Sequence, residues 1–193
     1  SEQSQFIFRF HKYDLLFTSD NGVFSKSMID YGSRVLLDNI EITNEKTLLD
    51  VGCGYGTFGI CLNKVYSHLN VDMVDVNDRA LELAKLNAKN NNIKNVEFII
   101  GDTVEVMPKL YQEGVKPDVI VVDPPRAGCE KSVLETFAKM QPSKIVYVSC
   151  DPASLARDIA ILAEHNYQAL KIQPVDMFSQ TSHVECVALI ERK

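Results

Sequence analysis

A doubly wound α/β fold built on a seven-stranded, mostly parallel sheet is predicted by three features of the chain. Apolar runs of strand length recur from residue 47 onward, amphipathic helical patterns separate the first six, and the last two runs have no helix between them. The last strand is therefore expected to run antiparallel, with helices on both faces of the sheet.

Residues 1–46 form a strand and helix extension to a single domain. The opening SEQSQFIFRFHKYD alternates like a strand, and SKSMIDYGSRVLLDNI opens at a capping serine with an apolar face at Met28, Ile29, Val35, Leu36 and Ile40. The core, 47–193, then runs through TLLDVG, VDMVDV, VEFIIGD, DVIVVDPP and KIVYVSC, followed by QALKIQPVDM and HVECVALIER. Between the strands TFGICLNKVYSH, DRALELAKLNAKNN, VEVMPKLYQEG, EKSVLETFAKM and PASLARDIAILAEHN each carry apolar residues at helical spacing. The QPVDMFSQTS connection is long enough to carry function.

With 193 residues the chain can bury about 70% of its unfolded surface in one core. A hydrophobic content of 46% and a charged content of 24% fit an ordinary soluble domain, and no apolar run has the length of a membrane span. The amino terminus lacks the apolar core of a signal peptide, so a cytoplasmic location with reduced cysteines is expected. Cys53, Cys61, Cys129, Cys150 and Cys186 are odd in number and contain no close pair, which indicates neither a disulfide framework nor a metal site. A net charge of −6 argues against a free-standing nucleic-acid binder, and Arg126, Lys131, Lys139 and Lys144 read as solvated surface.

The chemistry is expected at the carboxyl edge of the sheet. LLDVGCGYGTFGI sets Gly52, Gly54 and Gly56 between the first core strand and its helix, and Asp75 follows at the end of the next strand, placed to accept both hydroxyls of a ribose. Such a turn could serve NAD or be a plain loop. The acidic Asp50, the GCGYG pattern and the lack of a phosphate-cradling lysine favour S-adenosylmethionine. Here the chain resembles the Rossmann-like class I methyltransferases. The resemblance implies that Asp50, Gly52, Gly54 and Thr57 serve the methionine end of S-adenosylmethionine, Asp75 its ribose and Asp102, in VEFIIGD, its adenine amine. Phe24 reads either as a lid over the cofactor or as a hydrophobic staple.

Cys150 ends the run IVYVSC, Asp123 ends DVIVVD, and Glu185 opens the last strand, which suggests a nucleophile, a polar orienter and a base at one address. Methylating carbon 5 of uracil calls for this set: a thiolate adds at carbon 6, and a base later removes the carbon 5 proton. DPPRAGC, YVSCDPASLARD and DMFSQTSHVEC resemble the RNA 5-methyluridine methyltransferases over residues 95–193. That likeness implies Cys150 as nucleophile, Glu185 as proton-abstracting base, Asp123 as a contact to cofactor or target base, and Arg126 as a substrate-holding residue. Asp151 stands where that family usually has Asn, and Ser179 where it has Pro. His183 reads as a solvent-facing neighbour.

Residues 1–93, from LLFTSDNGVFSK to MVDVNDRALELAKLNAKNN, instead resemble the small-subunit ribosomal RNA guanine-N2 methyltransferases, whose NPPIRAGK-like motif is here DPPRAGC. A hybrid chain joined between 89 and 116 is therefore expected. The partner implied is RNA, ribosomal or transfer, weakly bound and slowly methylated, since no barrel or iron-sulfur module accompanies the motifs. A monomer with no metal or membrane contact is expected. Guanine amine methylation and a folded, cofactor-binding but silent scaffold are the rival expectations.

Overall fold

The structure, a computed structural model, describes residues 3–20, 34–175 and 185–193. Its sheet contains β3 (Thr47–Val51), β4 (Asn70–Asp75), β5 (Val96–Ile100), β6 (Val119–Val122), β7 (Lys144–Ser149), β8 (Tyr167–Val175) and β9 (Glu185–Arg192), in the order β5-β4-β3-β6-β7-β9-β8. The five strands from β3 to β7 are parallel, and β9 runs antiparallel to both β7 and β8. The expected sheet, with its antiparallel last strand, is the observed one. Strand order reverses between β3 and β6, and the crevice at such a reversal is where open α/β sheets bind ligands.

Burial explains the two helical layers. All four residues of β6, VIVV, are buried, and successive side chains leave on opposite faces. Val119 and Val121 pack with α2 (Thr57–Val65) and α3 (Asp78–Asn90), whereas Ile120 and Val122 pack with α4 (Thr103–Gln112), α5 (Lys131–Met140) and α6 (Pro152–Ala163). Ahead of the sheet, the helix expected over SKSMIDYGSRVLLDNI is described only as α1 (Arg34–Asn39), where Leu37 is buried, as is Ile40 just beyond.

The amino-terminal strand is in fact a hairpin. β1 (Gln3–Phe10) pairs with β2 (Tyr13–Asp20) as a separate two-stranded sheet, turning at His11 and Lys12 with His11 in the left-handed region at φ 54°. The usual Asn-Gly hairpin signal is absent there, so the turn is hidden in the sequence. Two carboxamides one helical turn apart on α3 dock the hairpin. Asn87 Oδ1 accepts from the Thr18 amide at 2.8 Å and its Nδ2 donates to the Thr18 carbonyl at 2.9 Å. Asn91 does the same for Leu16 at 2.9 and 2.8 Å. Four residues of helix rise about 6 Å and two residues of strand about 6.6 Å, so the two amides match alternate peptide groups of β2. Asn87 Nδ2 also reaches the Tyr55 carbonyl in the glycine loop at 2.9 Å.

Candidate active site

The glycine loop is held from beneath and from both sides. The Gly52 and Cys53 amides both donate to the Val74 carbonyl at 2.8 and 3.0 Å, which closes the loop over the end of β4. Gly52 sits at φ +76°, and a Cβ there would lie 2.5 Å from the Asp123 carbonyl oxygen. Only glycine allows β3 and β6 to approach so closely at this edge. Asp75 organises the next turn: Oδ2 accepts from the Gly54 amide and Oδ1 from the Asn77 amide, each at 2.8 Å. Each carboxylate oxygen keeps a second lone pair, so the role expected for Asp75 toward ribose hydroxyls is compatible with these bonds.

A cavity of about 460 Å³ opens along this edge, within the range of small-molecule sites. Gly52, Asp75, Asp102 and Asp123 line it, together with the Pro124–Glu130 loop. Two apolar side chains also line it, Val76 at 68% exposure just after Asp75 and Val104 at 42% exposure two residues after Asp102. They were not anticipated from sequence, although exposed apolar groups beside a carboxylate are what a flat aromatic base requires. Asp102 Oδ1 caps α4 by accepting from the Val104 amide at 3.0 Å, which fixes Val104 against the cavity.

Asp50, Gly54 and Thr57 do not line the cavity. Asp50 is wholly buried beneath the loop, where Oδ2 accepts from the Gly59 amide at 3.2 Å and Oδ1 has no hydrogen-bond partner among the described residues. Burial, with a smaller push from the charge of Asp75, raises its pKa to about 7. Thr57 is buried in the first turn of α2. Phe24 lies outside the described residues.

At the other end of the edge, Cys150 and Glu185 lie at the ends of neighbouring strands. The β7–β9 ladder ends with Ser149 opposite Cys186, so Cys150 follows the last paired residue of β7 and Glu185 precedes that of β9, on strands about 4.8 Å apart. Asp123 follows the neighbouring strand β6, its amide donating to the Val51 carbonyl at 3.0 Å. Arg126 is exposed and stands 3.9 Å from Asp151. Asp151 caps α6 by accepting from the Ser154 amide at 3.0 Å, and this bond holds its carboxyl below the usual range. Asp at this position therefore keeps the capping function an Asn would serve.

Beside these groups lies a buried cluster that sequence reasoning passed over. Asp158, on α6 and wholly buried, accepts from the Tyr147 hydroxyl at 2.5 Å, the Cys129 amide at 2.8 Å, and Arg157 Nε and Nη2 at 3.0 and 2.9 Å. Arg157 Nη2 also donates to the Ala127 carbonyl at 2.6 Å, and Ser154 Oγ donates to the Arg126 carbonyl at 2.8 Å. Burial, reinforced by the charge of Asp158, pushes the Cys129 thiol up to about 12, so it is inert as a nucleophile. None of the five cysteines is joined in a disulfide. Lys144 is tied to Glu45 at 3.0 Å at the opposite edge of the sheet, so it forms no patch with Arg126.

A glycine loop, a strand-end acid and a cavity at the switch point of this sheet define a class I methyltransferase, the class that uses S-adenosylmethionine. Residues 14–141 match the methyltransferase small domain model, and the chain belongs to that family. An RNA methyltransferase of Clostridium tetani is 49% identical over 158 residues, covering 80% of this chain and 33% of its own length. Another, from Listeria innocua, is 46% identical over 81% of this chain and 34% of its own. The chain thus spans about a third of the length of these relatives. Among solved structures, the Pyrococcus abyssi tRNA (uracil-54, C5)-methyltransferase in complex with S-adenosyl-L-homocysteine superposes with a TM-score of 0.76 at 33% identity, covering 96% of this chain and 44% of that one. A SAM-dependent methyltransferase fold from Streptococcus mutans matches with a TM-score of 0.77 at 14% identity, covering 97% and 55%.

These relatives correct one expectation. A match over four fifths of the chain has to run across residues 89–116, so the proposed join between two lineages finds no support. The structure agrees: β4 and β5 pair without interruption from Val71 opposite Val96 to Asp75 opposite Ile100. No helix among the described residues is long and apolar enough to cross a membrane.

Proposed function

We propose that the chain is the S-adenosylmethionine-binding catalytic domain of an RNA methyltransferase that methylates carbon 5 of uridine through a covalent cysteine adduct. The observation that supports this reading is the end of the β7–β9 ladder, where Cys150 leaves β7 and Glu185 opens the neighbouring β9, one strand away from Asp123 and the cavity. The Clostridium tetani and Listeria innocua relatives support RNA as the substrate class, and the Pyrococcus abyssi enzyme supports uracil as the base.

The residues at the edge divide the work. Asp75 takes the ribose hydroxyls of the cofactor, Val76 and Val104 hold its adenine between apolar faces, and Asp102 accepts from the adenine amine. Gly52 and Gly54 let the backbone come close to the methionine portion, while Asp50 and Thr57 support the loop from below. When bound, S-adenosylmethionine supplies an electrophilic methyl group and leaves as S-adenosylhomocysteine.

The Cys150 thiolate forms a bond to carbon 6 of uracil, and the displaced double-bond pair makes carbon 5 nucleophilic toward that methyl group. Glu185 then removes the carbon 5 proton. The electron pair left behind restores the double bond and expels the thiolate, returning Cys150 to its starting state. Asp123 orients the base, and Arg126, exposed at the rim, holds the RNA.

RNA containing 5-fluorouridine tests the scheme, because fluorine cannot be removed as a proton. A cofactor-dependent protein–RNA adduct that is lost in Cys150→Ala is expected. Methyl product on a guanine amine, with no adduct, would overturn it.

A further inference from the structure

The loop from Asp123 to Glu130 has two duties in the reading above: it forms one wall of the cofactor cavity and carries Asp123 and Arg126 toward the target base. A loop rich in proline and glycine does not hold such a position unaided. Among the described residues, side chains that tie its backbone come from one helix, α6, which begins two residues after Cys150. Ser154 holds the Arg126 carbonyl, Arg157 the Ala127 carbonyl, and Asp158 the Cys129 amide.

Asp158 is the centre of this arrangement. It is wholly buried, yet it is the acceptor for groups on three elements: Tyr147, three residues before Cys150 on β7; Cys129, at the far end of the loop; and Arg157 on its own helix. Gly128 is packed so tightly against the pair that a Cβ would lie 2.5 Å from Arg157 Nη2 and 2.6 Å from Asp158 Oδ2, at φ +81°. The loop backbone therefore packs directly on the cluster.

We propose that Asp158 is a positioning residue that locks the donor-side wall to the strand and helix carrying the nucleophile, so that the methyl donor and the adducted carbon are held in line. Its effect on catalysis rests on the uridine reading. Its effect on the loop does not. Misplacing reacting groups by about 1 Å can cost on the order of a hundredfold in rate, and this cluster fixes that distance.

Asp158→Asn removes the charge and keeps the size. Three measurements separate positioning from general support of the fold. Iodoacetamide labelling with peptide mapping should modify Cys129 about tenfold faster, while the buried Cys53 and Cys61 in the other layer stay protected. S-adenosylhomocysteine should bind about tenfold more weakly by calorimetry, as one cavity wall is released. Without any donor, hydrogen exchange at carbon 5 of RNA uridine, which takes its proton from solvent and needs the target-base groups but not the cofactor wall, should fall about tenfold, whereas methyl transfer falls about a hundredfold.

Cys129 remaining protected overturns the proposal, as does labelling of Cys53 and Cys61 in step with Cys129, or an equal fall in exchange and transfer. If wild-type chain shows neither exchange nor transfer at uridine, the uridine reading fails, and Cys129 labelling with cofactor affinity still decides the role of Asp158. Ser154→Ala, which removes the tie to the Arg126 carbonyl and a local bond to the Asp151 carbonyl, provides the same comparison should the Asn variant not fold, with about threefold changes expected in labelling and affinity.

Discussion

The two ends of the active edge are held together by opposite kinds of chemistry. Under the cofactor loop the buried joints are neutral: the carboxamides of Asn87 and Asn91 knit the hairpin to α3, where the ion pair of Arg79 with Asp20 is part-exposed, and Asn87 alone reaches on to the Tyr55 carbonyl. Near Cys150 the joint is ionic, with one buried carboxylate collecting a hydroxyl, an amide and a guanidinium. A neutral amide costs less to bury than a charge, and losing one of its bonds leaves the others in place. A buried charge is held by all of its donors or becomes a liability. The cofactor end should therefore yield by degrees and the chemical end abruptly.

The largest effect is expected at the ionic joint. Asp158→Ala leaves the Tyr147 hydroxyl and Cys129 amide without their acceptor, and breaking a buried charged cluster costs roughly 3–5 kcal/mol. Urea unfolding should show that loss with an unchanged dependence on denaturant. A loss below about 1 kcal/mol would mean the contrast between the two ends is wrong.

Next comes Gly52→Ala, which strikes where the ends meet. A left-handed alanine costs about 1–2 kcal/mol, and the Cβ, 2.5 Å from the Asp123 carbonyl oxygen, also forces β3 and β6 apart. A total near 2–4 kcal/mol is expected. Calorimetry should find binding of S-adenosylhomocysteine abolished, and unaltered affinity would remove Gly52 from the cofactor site.

Smaller effects are expected from the carboxamides, and they sharpen the comparison most. Asn87→Ala and Asn91→Ala each strand peptide groups of β2, at about 1–3 kcal/mol apiece. Only the first breaks the tie to Tyr55, so only Asn87→Ala should also weaken cofactor binding, by several-fold. Equal affinities in the two variants would confine Asn87 to holding the hairpin.

The contrast also explains what the sequence disclosed. Strand and helix identity is local, and hydrophobic period announces it, so the sheet and its antiparallel last strand were legible in runs such as VIVV and HVECVALIER. The acids and glycines of the edge were legible because strand-end positions follow from the strands. Asp158 was not: it lies in an ordinary helical pattern, and its partners Cys129 and Tyr147 stand 29 and 11 residues away, brought near only by packing. Asn87 and Asn91 look like a solvated helix face until β2 covers them. Val76 and Val104 were missed because a single apolar residue after a strand gives no periodic signal. The reading of two lineages came from weighting separate motifs above continuity across residues 89–116.

A pH-dependent effect is expected from Asp50, the carboxyl group wholly buried beneath the cofactor loop. Its pKa is raised from 3.8 unfolded to about 7 folded, chiefly by burial, so between those values the folded chain keeps a proton that the unfolded chain has released. Stability from this group is fully present below pH 4 and is lost as the pH rises to about 7. Asp50→Asn has no proton to lose. The stability of the wild type minus that of the variant should therefore fall between pH 4 and 7 and level off above, in chemical unfolding followed across that range. The opposite slope would mean that Asp50 is ionised and paired, and the cofactor end would then contain a charged joint of its own.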